Sequence, residues 1–255
     1  MELLANHPVL FCLVSLLLMS LAAWVGAVVL RQKKPMDEAT VEDFSVVQSA
    51  TLTLLALVIG FSLSMAVGRY DQRKNYEEEE ANAIGTEFIR VDFLSVPAAA
   101  QLRTLLVKYL DQRVLFYRTN DAQQLGVINT TTAQIQADMW ALVRTGASAA
   151  PNPITALVTA GMNDVINTQG YTQAAIWNRI PHSAWALMIV IGLFSNALVG
   201  YGSRSKQVRS RFLVIMPLVV SLSFMLIADI DSPRSGIIRV VPQNLISLAQ
   251  SLPKP

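Results

Sequence analysis

The longest run of like charge in this 255-residue sequence is Glu77-Glu78-Glu79-Glu80. Carboxylate oxygens suit calcium or magnesium, and Asp71 or Glu87 is near enough in sequence to join them. Consecutive helical residues point in four directions, so one chain does not focus the run on a single ion. A ring of subunits facing a vestibule would bring the carboxylates together, whereas a solvated helix face needs no ion. No resident metal or cofactor is expected. Two arginines, Arg69 and Arg73, directly follow an apolar stretch. Arg69 at a membrane edge either snorkels as an anchor or, repeated around a ring with Arg73, raises the anion concentration at a pore mouth. Asp229 and Asp231 stand where a later apolar stretch ends. Ionisable groups at that depth are candidates for function, or for pairing with Arg234 or Arg239 in a structural turn.

Nucleophilic chemistry has little to work with. The sequence contains no GxSxG, HExxH, Walker loop or CxxC. Its only histidines, His7 and His182, are far apart, and its one cysteine, Cys12, lies in an apolar run. An enzyme is not expected. Net charge is +2, too near balance to suggest a nucleic-acid partner.

The elements carrying these residues are apolar helices. Only 15% of residues are charged, against about 25% in average soluble domains, which points to lipid as the main partner. Val9 to Leu30 is long enough to cross a hydrocarbon core at ~1.5 Å per residue. It reads as an uncleaved anchor, because no basic residue precedes it and the run is too long for a signal peptide. Phe44 to Val67, Ser183 to Tyr201 and Phe212 to Ile230 are the other candidate spans. The expected fold is an all-α membrane protein: four transmembrane helices as two hairpins flanking a helical extramembrane domain. Its divisions are a first hairpin over 9–68, the helical domain over 69–180, a second hairpin over 181–231, and a tail over 232–255 with a short amphipathic helix from Pro242.

The second span carries Ser49, Thr53, Ala56, Gly60, Ser64 and Gly68 at spacings of three and four, hence on one face. Such a stripe admits a close backbone neighbour or lines a pore with water. After it, Ala81, Ile84, Phe88, Val91 and Leu94 form an apolar stripe that stops before Pro97. Three more helices follow: Ala98 to Tyr117, one capped near Asn120-Asp121 and running to about Val143, and Ile154 toward Trp177 with a break at Gly170.

Basic residues next to spans set orientation. The first short loop holds Arg31, Lys33 and Lys34; the last holds Arg204, Lys206, Arg209 and Arg211. The opposite side has Arg69, Arg73, Lys74, Arg179, Arg234 and Arg239, spread over longer segments. Local density places both short loops on the cytoplasmic side, with the helical domain and both termini outside.

Two passages resemble the bestrophin-like domain family of membrane proteins. One is Leu57 to Asp92, with the core ANAIGTEFIRVD; the other is Asp229 to Val240, DIDSPRSGIIRV. Asn82, Gly85, Arg90, Asp229, Asp231, Pro233 and Gly236 are the residues that carry the likeness. More distantly, Gly60-Phe61 followed by Arg69-Tyr70 is similar to bestrophins proper, pentameric anion channels with a hydrophobic neck on the second helix. The resemblance implies a homo-oligomer, a pentamer by analogy, that passes small anions. It places Thr53, Leu57 and Phe61 at the neck, with Ser64 and Gly68 continuing the pore-lining face. It also implies a cytosolic helical domain, opposite to the orientation that charge density favours. Mid-helix Gly85 costs ~1 kcal/mol against alanine, which predicts close packing there.

Overall fold

The computed structural model describes residues 7–30, 37–203 and 213–253. All seven loop cations that set the expected orientation lie outside those residues. So does Phe212, where the last span was expected to start.

Eight helices are described: α1 (Pro8–Val28), α2 (Glu38–Arg90), α3 (Val96–Arg118), α4 (Ala122–Ala149), α5 (Pro153–Trp177), α6 (His182–Gly202), α7 (Ile215–Asp231) and α8 (Gln243–Ser251). A 3-10 turn, Val91–Phe93, follows α2, and no strand occurs among the described residues. Local signals account for most boundaries. Pro8 sits in the first turn of α1, where its missing N–H costs nothing. Pro97 does the same for α3. Asp121 accepts the Gln123 N–H at the start of α4. Asn152 and Thr155 form a reciprocal capping box at α5. Two expectations are corrected here. α5 runs through Gly170 without a break, and α4 continues to Ala149, six residues past the expected end.

Among the described residues three helical stretches are long and apolar enough to cross a membrane: Pro8–Val28, Glu38–Phe93, and Pro153–Gly202, whose apolar part is α6 after an interruption at 178–181. α7 is apolar too, and its 17 described residues extend about 25 Å.

The chain divides into two compact units, residues 1–69 with 179–239, and 70–178 with 240–255. In the first, α1 and α6 run in the same direction: Phe11 meets Trp185, Met19 meets Gly192, and Gly26 meets Ala197 and Tyr201. α7 runs the opposite way, its Phe224 ring 6.3 Å from Phe11 and 6.4 Å from Trp185. The start of α2 meets the end of α6 through Phe44 and Tyr201, with ring centroids 5.2 Å apart. Glycine makes the α1–α6 seam possible. A Cβ on Gly26 would overlap the Ala197 carbonyl, and one on Gly200 would overlap the Ala23 carbonyl. Without those Cβ atoms the two backbones approach to van der Waals contact, which is how helices associate where lipid removes the hydrophobic drive.

The second unit has an apolar core from α2, α3, α4, α5 and α8, including Ile84, Leu102, Leu106, Met139, Val158, Met162 and Leu245. Tyr109 is fully buried within it; its hydroxyl donates to the Val165 carbonyl at 3.4 Å and accepts from Gln136 Nε2 at 3.4 Å.

Candidate functional site

The apolar stretch of α2 buries Leu55, Ser62 and Ala66, half-buries Thr51, Leu52, Val58, Ile59 and Leu63, and exposes the opposite side. Ser49, Thr53, Ala56, Gly60, Ser64 and Gly68 all lie on the exposed side, as do Leu57 and Phe61. A Cβ at Gly60 or Gly68 would meet nothing within 4 Å. Phe61 is 69% exposed. Among the described residues the glycines of this stripe therefore meet no neighbour, whereas those of α1 and α6 form a tight seam. Thr53 turns its hydroxyl back to the Ser49 carbonyl at 2.9 Å, which satisfies the donor within the helix.

Where α2 leaves this face, Arg69 pairs with Asp231 at 3.5 Å. Both oxygens of Asp231 also accept the Ile180 N–H at 3.1 Å. Asp229 accepts from two successive backbone groups, the N–H of Ile237 at 2.7 Å and of Ile238 at 2.8 Å. Gly236 is buried against Asp229, where a Cβ would strike its carbonyl. The tail motif is thus a turn folded back on the end of α7, with Pro233 half-buried within it. Both aspartates are more than nine-tenths buried and accept from backbone donors, a use that the sequence reading did not foresee beside function or pairing with Arg234 or Arg239. Arg73 is buried as well.

The other family-motif residues fall in the second unit. Asn82 is exposed, while half-buried Gly85 leaves room for the Leu248 side chain, 3.1 Å from where a Cβ would stand. Within the acidic run Glu78 and Glu79 are exposed, but Glu77 and Glu80 are buried, so the solvated-face reading holds for only half of it. Glu77 accepts the Leu245 N–H at 2.9 Å and the Asn244 side-chain amide at 2.7 Å. A carboxylate there caps α8, whose own N-cap, Pro242, offers no side-chain bond. Glu80 is ion-paired with Arg113, both with no side-chain exposure, and the Thr172 hydroxyl donates to Glu80 at 3.3 Å. The Arg113 guanidinium lies 4.2 Å from the centre of the Phe116 ring. Burial works against its charge, but the Glu80 carboxylate and Tyr109 outweigh it and raise the Arg113 pKa. Burial, reinforced by Glu80, pushes the Tyr109 and Tyr117 phenols upward.

These buried acids were missed because four glutamates in a row read as solvent-facing. The apolar stripe from Ala81 to Leu94, traced back by threes and fours, passes through Glu80 and Glu77. That register was the available signal. Among the described residues no group of three or more His, Cys, Asp or Glu side chains is placed to hold a metal ion. A groove of about 600 Å³ lined by Trp140, Asn152, Thr155, Thr159 and Asn163 carries no ionisable side chain.

Comparison with known proteins decides the family. The family model described as "Bestrophin-like domain" matches residues 13–245. The chain belongs to the bestrophin-like family. Solved structures carry the same fold at low identity. A bacterial bestrophin homologue from Klebsiella pneumoniae is 14% identical, with a TM-score of 0.64 over 96% of this chain and 99% of that one. A point mutant of that homologue is 12% identical, with a TM-score of 0.65 over 94% and 97%. A structure described only as a membrane protein is 13% identical, with a TM-score of 0.63 over 94% and 99%. No curated protein matches the chain. The bestrophin-like motif thus divides between an exposed helix face, a buried acidic seam and a backbone-capped turn.

Proposed function

We propose that this bestrophin-like chain assembles into an oligomeric anion channel whose pore is lined by α2. One observation carries the reading: the face with Thr53, Leu57, Phe61, Ser64 and Gly68 is exposed in the single chain, while α1, α6 and α7 bury one another. Small and polar residues at that depth fit poorly against lipid and well against water or further copies of the same helix. Leu57 and Phe61 form a constriction that gates by dewetting, with the Thr53 position on the same face. Arg69 and Arg73 follow in sequence and bring positive charge to its end, Arg69 sharing its charge with Asp231. The chain crosses the bilayer four times in two hairpins, over 9–68 and 181–231, with the helical domain over 69–180 and the tail over 232–255. The assembly is a homo-oligomer, a pentamer by family analogy.

Purified protein in liposomes is expected to pass chloride, and Phe61→Ala to raise the flux severalfold by widening the constriction. Absence of flux across a range of pH and calcium, from protein recovered with a stoichiometric partner, would instead favour a non-conducting scaffold whose helical domain binds that partner.

Charge density puts the α6–α7 loop in the cytoplasm and the helical domain outside. In a Cys12→Ala background, a cysteine replacing Ser205 is expected to resist an impermeant thiol reagent in intact cells and to react after lysis. Ready labelling of intact cells reverses the orientation without touching the pore assignment.

A further inference from the structure

Glu87 stands apart from the other buried acids. Glu77 accepts two hydrogen bonds and Glu80 has Arg113 and Thr172, but neither carboxylate oxygen of Glu87 has a hydrogen-bond partner among the described residues. Its side chain is fully buried against α5, where only a glycine fits: a Cβ on Gly161 would overlap Glu87 Oε2 and stand 2.6 Å from Arg90 Nη1. The charged groups facing it are Arg90 of its own helix and Asp164 of α5. An ionised carboxylate without donors, removed from water, costs more than a protonated one, so the seam selects the neutral acid.

We propose that Glu87 is a proton-binding site in the α2–α5 seam, packed as the neutral acid and loosening α5 when it ionises. Two further details agree. Gly161 removes the one side chain that would keep Glu87 out of the seam. Desolvation, opposed by Arg90 and aided by Asp164, raises the Glu87 pKa to about 8. Folded protein holds this proton above the ordinary carboxylate range while unfolded chain releases it, so the contribution to stability is full below about pH 4.5 and is lost as pH rises to about 8. A carboxyl titrating there reads physiological and mildly alkaline pH, a range usually left to histidine. Nothing in this depends on ion conduction.

The test uses the full chain in detergent or nanodiscs. Infrared difference spectra are expected to show a protonated-carboxyl band that titrates with a midpoint near pH 8 and is missing in Glu87→Gln. Asp164→Asn, by removing a negative neighbour, is expected to lower the midpoint, and Arg90→Gln to raise it. Hydrogen exchange in α5, normalised for intrinsic rate, is expected to increase above that midpoint in the native chain and to stay flat in Glu87→Gln. A band that persists in Glu87→Gln, or no carboxyl titrating between pH 6 and 9, overturns the assignment. Should Glu87→Gln not fold, unmoved midpoints in the Asp164 and Arg90 variants overturn it equally.

Discussion

Glu80→Ala is expected to destabilise the helical unit by about 3–5 kcal/mol, the cost of leaving a buried guanidinium without its carboxylate. Arg113 and Glu80 have no side-chain exposure, so water cannot replace the lost partner, and Thr172 offers only a hydroxyl. The Arg113 charge cannot be shed either, since arginine keeps its proton at any working pH. Thermal unfolding of Glu80→Ala should show a large drop, and Arg113→Met alone a comparable one. Pairing Glu80→Leu with Arg113→Met should restore most of the loss, because two apolar side chains of similar volume remove both desolvation costs. Equal losses in the single and double variants would mean that the seam depends on shape and not on uncompensated charge.

The second large effect is expected at Gly26. Valine there places carbon atoms on the Ala197 carbonyl and against the Tyr201 amide, neither of which is the flexible end of a side chain. α1 and α6 must then separate, at a cost in the range of about 1–3 kcal/mol for overpacking, or more if the backbones cannot yield. Gly200→Val should behave alike, since it strikes Ala23 from the other side. Gly60→Val, by contrast, meets nothing among the described residues and should leave monomer stability nearly unchanged. Yield of folded protein and thermal midpoint for the three variants check this ordering. A Gly60→Val that is as damaging as Gly26→Val would show that another helix covers the stripe in the assembled protein.

That contrast marks how far the sequence could be read. Helix length, apolar periodicity and caps are local, so the long apolar segments, Asp121 and the stop before Pro97 were all legible. A small-residue stripe is ambiguous, because it says that close approach is allowed without naming the helix that approaches. α2 carries the more regular stripe, yet the close approach falls where Gly26 meets Ala197 and Gly200 meets Ala23, on helices far apart in sequence. The acidic run failed for a different reason. Charge dominated the reading of Glu77 and Glu80, although their register already placed them on the buried stripe. Gly85 was legible as a packing site, but its partner Leu248 was not, since nothing local to either residue refers to the other. The same holds for Asp231, whose donor at Ile180 and partner Arg69 come from distant segments.

The Glu77 cap on α8 bears on how the molecule is made. Glu77 leaves the ribosome 168 residues before Leu245, with α6 and α7 still to be synthesised. At ordinary elongation rates that gap is roughly ten to thirty seconds. Throughout it the helical unit lacks the segment that supplies Leu245 to its core and backbone donors to Glu77. The unit therefore completes its fold only once α8 has been synthesised, and a nascent chain stalled before Pro242 leaves Glu77 without its α8 donors.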